Sequence, residues 1–177
     1  MKFITNYKTL AVFFCAMVLF SCNTTKNKTA VAPAKTEDKK EEAKAPEVYY
    51  TEQIRNDFRA VSENTQYQFL EAYKATEKQY SILFFTQGFN GEDITVKNNK
   101  GTLYKGSVTT NKTTGLAKNM RIVNTDITSI YDKATKKTIY IHPEKIGTHK
   151  FVYVMKGSLS DDKPYTITYS DKLRPEK

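Results

Sequence analysis

The sequence contains no Trp, two Cys, two His and five Pro. So few cysteines exclude a disulfide-stabilised scaffold, and so few histidines argue against most metal centres and most His-dependent catalysis. Long hydrophobic runs are also missing, because the longest covers residues 9–20 and a membrane-spanning helix needs about 20 residues. Hydrophobic residues make up 39% of the chain and charged residues 27%, which is typical of a soluble body of one ordinary domain.

Residues 1–21 have the three-part pattern of an export signal. Lys2 and Lys8 carry positive charge in a segment without acids, the apolar run of residues 9–20 follows, and Ser21 ends the pattern. The alternative, a buried N-terminal helix of a cytosolic protein, requires a polar face that this run lacks. We therefore predict that residues 1–21 are a signal peptide.

The motif Leu19-Phe20-Ser21-Cys22 resembles the lipobox of bacterial lipoproteins. The resemblance implies that the signal is cut before Cys22, that the Cys22 sulfur is lipidated and that the new N-terminus is acylated. Two or more acyl chains give stable anchoring, whereas one chain holds a protein only marginally. The mature chain would keep no second Cys, because the other one lies inside the leader.

The residue after the lipidated Cys bears on the destination of such proteins. In lipoproteins of double-membrane bacteria an Asp at this position favours the inner membrane, and this chain has Asn23. The resemblance therefore implies the outer membrane. Because no acidic cluster directly follows Cys22, we favour the periplasmic face over the cell surface.

Residues 22–48 are expected to form a disordered tether. The segment after Cys22 contains no aromatic residue and no Gly, and Asn, Thr, Lys, Glu, Ala and Pro dominate it. Such a composition cannot bury enough apolar surface to offset the entropy lost on ordering. The folded body can therefore stand away from a membrane to which Cys22 is attached.

Residues 49–79 are predicted to be helical and to form one globular domain with residues 80–177. Ile54, Phe58 and Val61 follow Thr51 at helical spacing, so we expect an amphipathic helix at the start of the segment with Thr51 as its N-cap. The rest of the segment is read as a second helix, although its aromatic residues also suit one face of a strand.

The chain from Tyr80 onwards has the character of a β-rich fold. All seven glycines lie at or beyond Gly88, and the segments between them are rich in Val, Ile, Thr, Tyr and Phe. We predict eight strands: residues 80–86, 93–98, 102–109, 119–123, 127–132, 137–142, 149–156 and 164–170. Strands at this spacing predict a mainly β fold, a small antiparallel β-sandwich or open barrel preceded by one or two short helices.

One stretch of the β-rich part carries a second resemblance. Residues 89–122, FNGEDITVKNNKGTLYKGSVTTNKTTGLAKNMRI, resemble small β-rich modules found in many uncharacterised bacterial proteins. The resemblance implies a sandwich and carries no function with it.

A metal site is a weak candidate at the two histidines. His142 and His149 are predicted to lie at the ends of neighbouring strands, and Glu144 lies between them in the sequence, so the three could hold a metal ion. Histidines at exposed strand ends are more often simple polar boundary residues. We therefore predict no metal and no cofactor.

Pairs of acids in turns give an alternative, calcium, because oxygen ligands at the ends of a sandwich can bind this ion. The pairs are Glu92 with Asp93 and Asp161 with Asp162. Neither pair matches a twelve-residue calcium loop, and adjacent acids in turns are usually solvated. The chain also has no Gly-rich phosphate loop and no Gly-flanked nucleophilic Ser, so we predict that it is not an enzyme; a small hydrolase remains the third alternative.

The formal charge of +9 would suggest nucleic acid as a partner in the cytosol, but behind an export signal that partner is mostly absent. All but one of the 12 tyrosines lie at or after Tyr49, and exposed tyrosines can stack on sugar rings. We predict a lipid-anchored envelope protein that acts as a non-catalytic binding or accessory subunit of a membrane protein complex, with no nucleic-acid partner. A glycan-binding or substrate-capturing surface module is the alternative.

Overall fold

The computed structural model describes residues 47–175. The predicted signal peptide, Cys22 and nearly all of the predicted tether lie outside the described residues. The elements, in chain order, are β1 (Tyr50–Ile54), α1 (Glu63–Ala72), β2 (Tyr80–Phe85), β3 (Asn90–Asn98), β4 (Gly101–Thr109), β5 (Lys118–Val123), β6 (Thr128–Asp132), β7 (Lys137–Ile141), α2 (Pro143–Ile146), β8 (Phe151–Lys156) and β9 (Tyr165–Ser170).

The strands form two sheets. Sheet A has the order β1-β9-β8-β2-β5 and sheet B has the order β4-β3-β6-β7. The prediction of a mainly β, sandwich-like fold with short helices is confirmed, and the sheets of the described residues do not close into a barrel. No helix within residues 47–175 is both long enough and apolar enough to cross a membrane.

All eight predicted strands are present. The largest difference in a boundary is at β3, which begins at Asn90 rather than at Asp93. Turn residues explain this agreement, because they end the alternating segments at places that the sequence marks clearly. Gly101, for example, begins β4 with a φ of +135°, and apart from its two chain neighbours no residue lies within 4 Å of where a Cβ would be, as expected for a hairpin turn.

The predicted helix at the start of the domain is wrong. Residues Tyr50–Ile54 form the edge strand β1, which pairs in parallel with Tyr165–Tyr169 of β9. Ile54 is 64% exposed, so it does not share a buried helix face with Phe58 and Val61. The hydrogen bonds gained along the open edge of a sheet outweigh a weak local helix preference.

The second predicted helix is confirmed as α1. Its N-cap is Ser62, whose hydroxyl accepts a hydrogen bond from the backbone N–H of Thr65. Leu70, which belongs to α1, is buried. Helix α1 therefore covers the outer face of sheet A, as an amphipathic segment beside a sheet is expected to do.

The pairing within sheet A is not purely antiparallel. Strand β2 runs parallel to β8, and β1 runs parallel to β9. A parallel pair needs a long connection between its strands, and here the connection from β2 to β8 contains β3 to β7. The sequence predicted the strands and left their order open.

Strand β2 explains how the core is divided. Leu83 and Phe85 belong to the cluster between the two sheets, whereas Ile82 and Phe84 belong to a second cluster beneath α1. Five of the six residues of β2 are buried, because both faces of the strand are covered. A strand buried on both faces reads as a continuous apolar run, which is what YSILFF shows.

Candidate functional site

A cleft with a volume of about 450 Å³ lies on the outer face of sheet A. It lies among α1, β2, β8, the loop after β4 and the segment after β9. We call it the cleft. Its lining residues are Val61, Thr65, Phe69, Phe84, Thr86, Gln87, Thr114, Gly115, Leu116, Tyr153, Met155, Leu173, Arg174 and Pro175.

The floor of the cleft is aromatic. Phe84 of β2 is the register partner of Tyr153 of β8, and their rings stack with centroids 4.9 Å apart. Phe69 of α1 stacks on Phe84 at 5.8 Å. These side chains lie on the outer face of the sheet, because strand residues alternate between faces and the intervening residues fill the inner core. The result is an apolar surface that α1 covers only in part.

The loop after β4 forms one wall. The Asn111 side chain accepts hydrogen bonds from the backbone N–H groups of Thr113 at 2.8 Å and Thr114 at 3.2 Å. The Asn111 N–H also donates to the carbonyl of Leu116 at 2.9 Å. These bonds hold the loop in a compact turn, so its shape is set by hydrogen bonds within the loop itself.

The segment after β9 forms the opposite wall and is tied to the body at three points. The Val61 N–H donates to the Leu173 carbonyl at 3.0 Å, and the Leu173 N–H donates to Oε1 of Gln66 on α1, also at 3.0 Å. The Arg174 N–H donates to the Tyr153 hydroxyl at 3.0 Å. The backbone at Arg174 is therefore held in place at the edge of the cleft.

Arg174 contacts two aromatic rings that are nearly perpendicular to each other. Its guanidinium is 4.2 Å from the centroid of Phe58 and 4.4 Å from that of Tyr153. The Nε atom is buried, and no residue within 47–175 accepts a hydrogen bond from it. Burial lowers the pKa of Arg174, but a guanidinium still keeps its proton at any ordinary pH. The cleft therefore carries a fixed positive charge.

Tyr153 remains neutral. Burial raises its pKa to about 12, although the hydrogen bond and the charge of Arg174 oppose the shift. Its hydroxyl donates to the Lys172 carbonyl at 3.0 Å while it accepts from Arg174. A phenol engaged in this way positions the segment after β9.

The structure separates the histidines of the weak metal candidate. Nδ1 of His142 is 3.7 Å from Oε1 of Glu144, whereas Nδ1 of His149 is 2.9 Å from Oδ1 of Asp171. Across residues 47–175, no three His, Cys, Asp or Glu side chains come together in a group that could hold a metal ion. His142 thus pairs with Glu144, and His149 pairs separately with Asp171.

The acids of the two pairs considered as calcium ligands have different surroundings in the structure. Oε1 of Glu92 is 2.8 Å from Nζ of Lys156, while Asp93 makes an exposed ion pair with Lys133 at 3.4 Å. Asp161 and Asp162 are both exposed. The Glu92 contact belongs to a buried ionic cluster that sequence reasoning missed.

Two exposed tyrosines lie on the outer face of sheet B, and a third, Tyr67, lies on α1. Tyr131 of β6 is 39% exposed and Tyr140 of β7 is 43% exposed. Tyr50 differs, since it is buried in the core between the sheets. The tyrosines of the domain therefore lie both in its interior and on its surface.

Sequence reasoning did not find the cleft. Its residues come from five segments, and no motif joins Phe69, Leu116 and Arg174 along the chain. The one signal was the continuous apolar run of β2, which indicates that something covers both faces of that strand. Comparison of the sequence with models of known protein families and with curated proteins finds no match.

Proposed function

We propose that this protein is a lipid-anchored, non-catalytic binding protein of the bacterial cell envelope, attached through Cys22 and facing the periplasm from the outer membrane. The observation that supports binding is the cleft. Its volume of about 450 Å³ is that of a small-molecule site, which ranges over about 300–1,000 Å³. Its lining is mostly apolar, with a few polar groups at the edges, as in such sites. The resemblance of residues 19–22 to a lipobox supports the anchor.

Two binding roles fit an anchored body: an accessory subunit that docks on a membrane protein, and a module that captures a ligand. The cleft favours capture, because α1, the loop after β4 and the segment after β9 enclose it on several sides. Protein partners usually meet flatter surfaces with a polar rim. Capture beside a membrane is therefore the role that we put first.

A glycan-binding surface is the second candidate. Tyr131 and Tyr140 expose their rings on the outer face of sheet B, and aromatic rings can stack on sugars. The two candidates use opposite faces of the sandwich, so experiments on each face separate them.

Labelled palmitate tests the anchor. The native protein should incorporate the label in a bacterial host, and a Cys22→Ala variant should not. Secretion of an unlabelled native protein into the medium would contradict the proposed attachment.

Photo-crosslinking in cells tests the binding face. A photoreactive residue at Met155, at the edge of the cleft, should give a small adduct seen as a mass increase on the protein. The matched control is the same residue at Tyr140, which should give no such adduct if the cleft is the site. Adducts at Tyr140 alone, removed by glycosidase treatment, would instead support the glycan surface.

A further inference from the structure

The cleft combines an aromatic floor with one fixed positive charge. From this combination we infer that its ligand is an amphipathic anion, a long apolar chain ending in a single carboxylate. The inference rests on the proposed binding role and specifies the ligand class.

The apolar part of the ligand follows from the floor. Phe69, Phe84 and Tyr153 form a continuous series of stacked rings, and Leu116 and Leu173 line the sides. Phe84 and Tyr153 are already only 5% and 4% exposed, so the apolar area that a ligand would cover comes mainly from the half-buried Phe69 and Leu116 and from the exposed Met155. Covering that area removes it from water, which is favourable in proportion to the area buried. The few hydroxyl and amide groups on the lining are too sparse to satisfy the many hydroxyls of a sugar. An apolar chain is therefore the better fit.

The charge of the ligand follows from Arg174, which is the one charged residue among the described lining residues. Two rings contact its guanidinium at right angles to each other: Phe58 and Tyr153 lie 4.2 Å and 4.4 Å away, and their planes meet at 84°. The N–H groups on the side away from the rings match a planar carboxylate. A cationic ligand would be repelled, and a doubly charged phosphate would be neutralised only in part.

Arg174 forms no close ion pair in the part of the chain that the structure describes, because Asp57, the acid whose charge acts on it at longer range, is bonded to Arg55. Within residues 47–175 no carboxylate lies within 4 Å of it, and its buried Nε has no acceptor. A buried donor without an acceptor costs free energy, and an anion bound beside the guanidinium would offset the unpaired charge. By contrast, Arg121, which stacks on Tyr80 at 4.4 Å, donates to the Lys74 carbonyl at 2.8 Å.

The backbone that carries the Arg174 side chain is fixed before any ligand binds. The backbone N–H of Arg174 is bonded to Tyr153, and Leu173 beside it is bonded to Val61 and Gln66. A group held in this way loses little conformational freedom when it binds, so more of the interaction appears as affinity.

The experiment measures ligand affinity by titration calorimetry on the full mature chain with Cys22→Ala, which needs no detergent. A Glu176→Gln background keeps the chain's own neighbouring carboxylate from pairing with Arg174. The probes are hexadecanoate below its micelle concentration and its neutral methyl ester. Hexadecanoate should bind at least about tenfold more tightly than the ester, because a hydrogen bond to a charged group is worth about one power of ten or more.

Three variants assign the affinity to the cleft. Arg174→Gln should weaken hexadecanoate binding at least about tenfold, to the level of the ester, and leave the ester unchanged. Met155→Trp, at a position that is 39% exposed, should fill the cleft and weaken both probes. The matched control Arg121→Gln should change neither. If Arg174→Gln unfolds, Arg174→Lys should keep a preference for hexadecanoate over the ester.

Equal binding of the two probes by the parent chain would overturn the inference, and so would an Arg174→Gln variant that folds and still binds hexadecanoate as tightly as the parent. Binding only to vesicles of anionic phospholipid, with no binding of dispersed hexadecanoate, would overturn it as well and point to a lipid surface. These failures would leave the proposed function standing if a residue at Met155 still yields a small adduct in cells. Absence of that adduct would contradict the proposed binding role of the cleft, whether or not hexadecanoate binds.

Discussion

Nζ of Lys156 lies 2.7 Å from Oδ2 of Asp132, and both side chains are only 2% exposed. Glu92 supplies a second carboxylate to the same ammonium at 2.8 Å, and the Tyr165 hydroxyl donates to Asp132 at 2.6 Å. Lys156 and Tyr165 belong to sheet A, whereas Asp132 and Glu92 belong to sheet B. A buried ionic cluster therefore joins the two sheets at one end of the sandwich.

Replacing the cation should destabilise the fold strongly. Lys156→Met leaves Asp132 and Glu92 as buried carboxylates without their partner, and breaking a buried ion pair from one side costs about 3–5 kcal/mol. We expect the free energy of unfolding, measured in urea at pH 7, to fall by about this amount.

The matched control is Lys133→Met. Lys133 pairs with Asp93 at 3.4 Å, but the side chains are 73% and 59% exposed, and exposed ion pairs contribute less than about 1 kcal/mol. An equal fall in the free energy of unfolding in the two variants would show that the buried cluster stabilises the fold no more than an exposed ion pair does.

The same cluster predicts acid sensitivity. Burial by itself would raise the pKa of Asp132, but the hydrogen bonds from Lys156 and Tyr165 outweigh it and lower the pKa. The pKa of Glu92 is lowered in the same way, since its bonds from Lys156 and the Asn90 backbone outweigh burial. A lowered carboxyl pKa stabilises the folded state above the unfolded pKa of about 4, and this stability is lost as the pH falls through the folded pKa.

We therefore expect the free energy of unfolding to decrease as the pH is lowered from about 5 to about 2. Glu92→Gln should show a smaller decrease over this interval, because it removes one of the two carboxyls. Urea unfolding at a series of pH values measures both slopes, and identical slopes would contradict the assignment. The pKa of Lys156 is raised, since the hydrogen bonds of the two acids outweigh burial, so its contribution is lost only at alkaline pH.

Gly88 should not tolerate a side chain. Its φ is +88°, and a Cβ would lie 1.8 Å from the backbone oxygen of Lys156. Gly91 has a similar φ of +99°, but its nearest neighbours are side-chain oxygens at 3.8 Å. Gly91→Ala should therefore cost about 1–2 kcal/mol from backbone strain, and Gly88→Ala about 1–3 kcal/mol more from the clash. Urea unfolding of the two variants measures the difference, and equal costs would argue against the close approach.

The Tyr153 phenol should titrate late, because burial raises its pKa to about 12 and the ordinary value is about 10. Alkaline titration followed by tyrosinate absorbance tests this by comparing the native protein with Tyr153→Phe. The two curves should coincide at pH 10 and differ by about half a phenol at pH 12, where a group with a pKa of about 12 is half ionised. A difference already present at pH 10 would mean that Tyr153 is open to solvent.

The agreement for the β-strands and the failure at β1 have the same physical origin. Strands such as β8, with Phe151 and Tyr153 on one face, are marked by alternation and by turn residues that lie within a few positions. Strand β1 exists because residues Tyr50–Ile54 pair with Tyr165–Tyr169, more than a hundred positions away. Local spacing cannot reveal such a partner, and the apolar residues Ile54 and Phe58 then suggest a helix.

The sequence alone determined the class of the fold, the position of eight strands and the second helix, because side-chain periodicity and turn chemistry act between neighbours in the chain. Only the tertiary structure decided the order of the strands, the contact of Arg174 with Phe58 and Tyr153, and the meeting of Lys156 with Asp132. Each of these depends on distant segments that come together when apolar faces are buried. A charge or an aromatic residue therefore acquires its chemical setting from packing that no short stretch of sequence records.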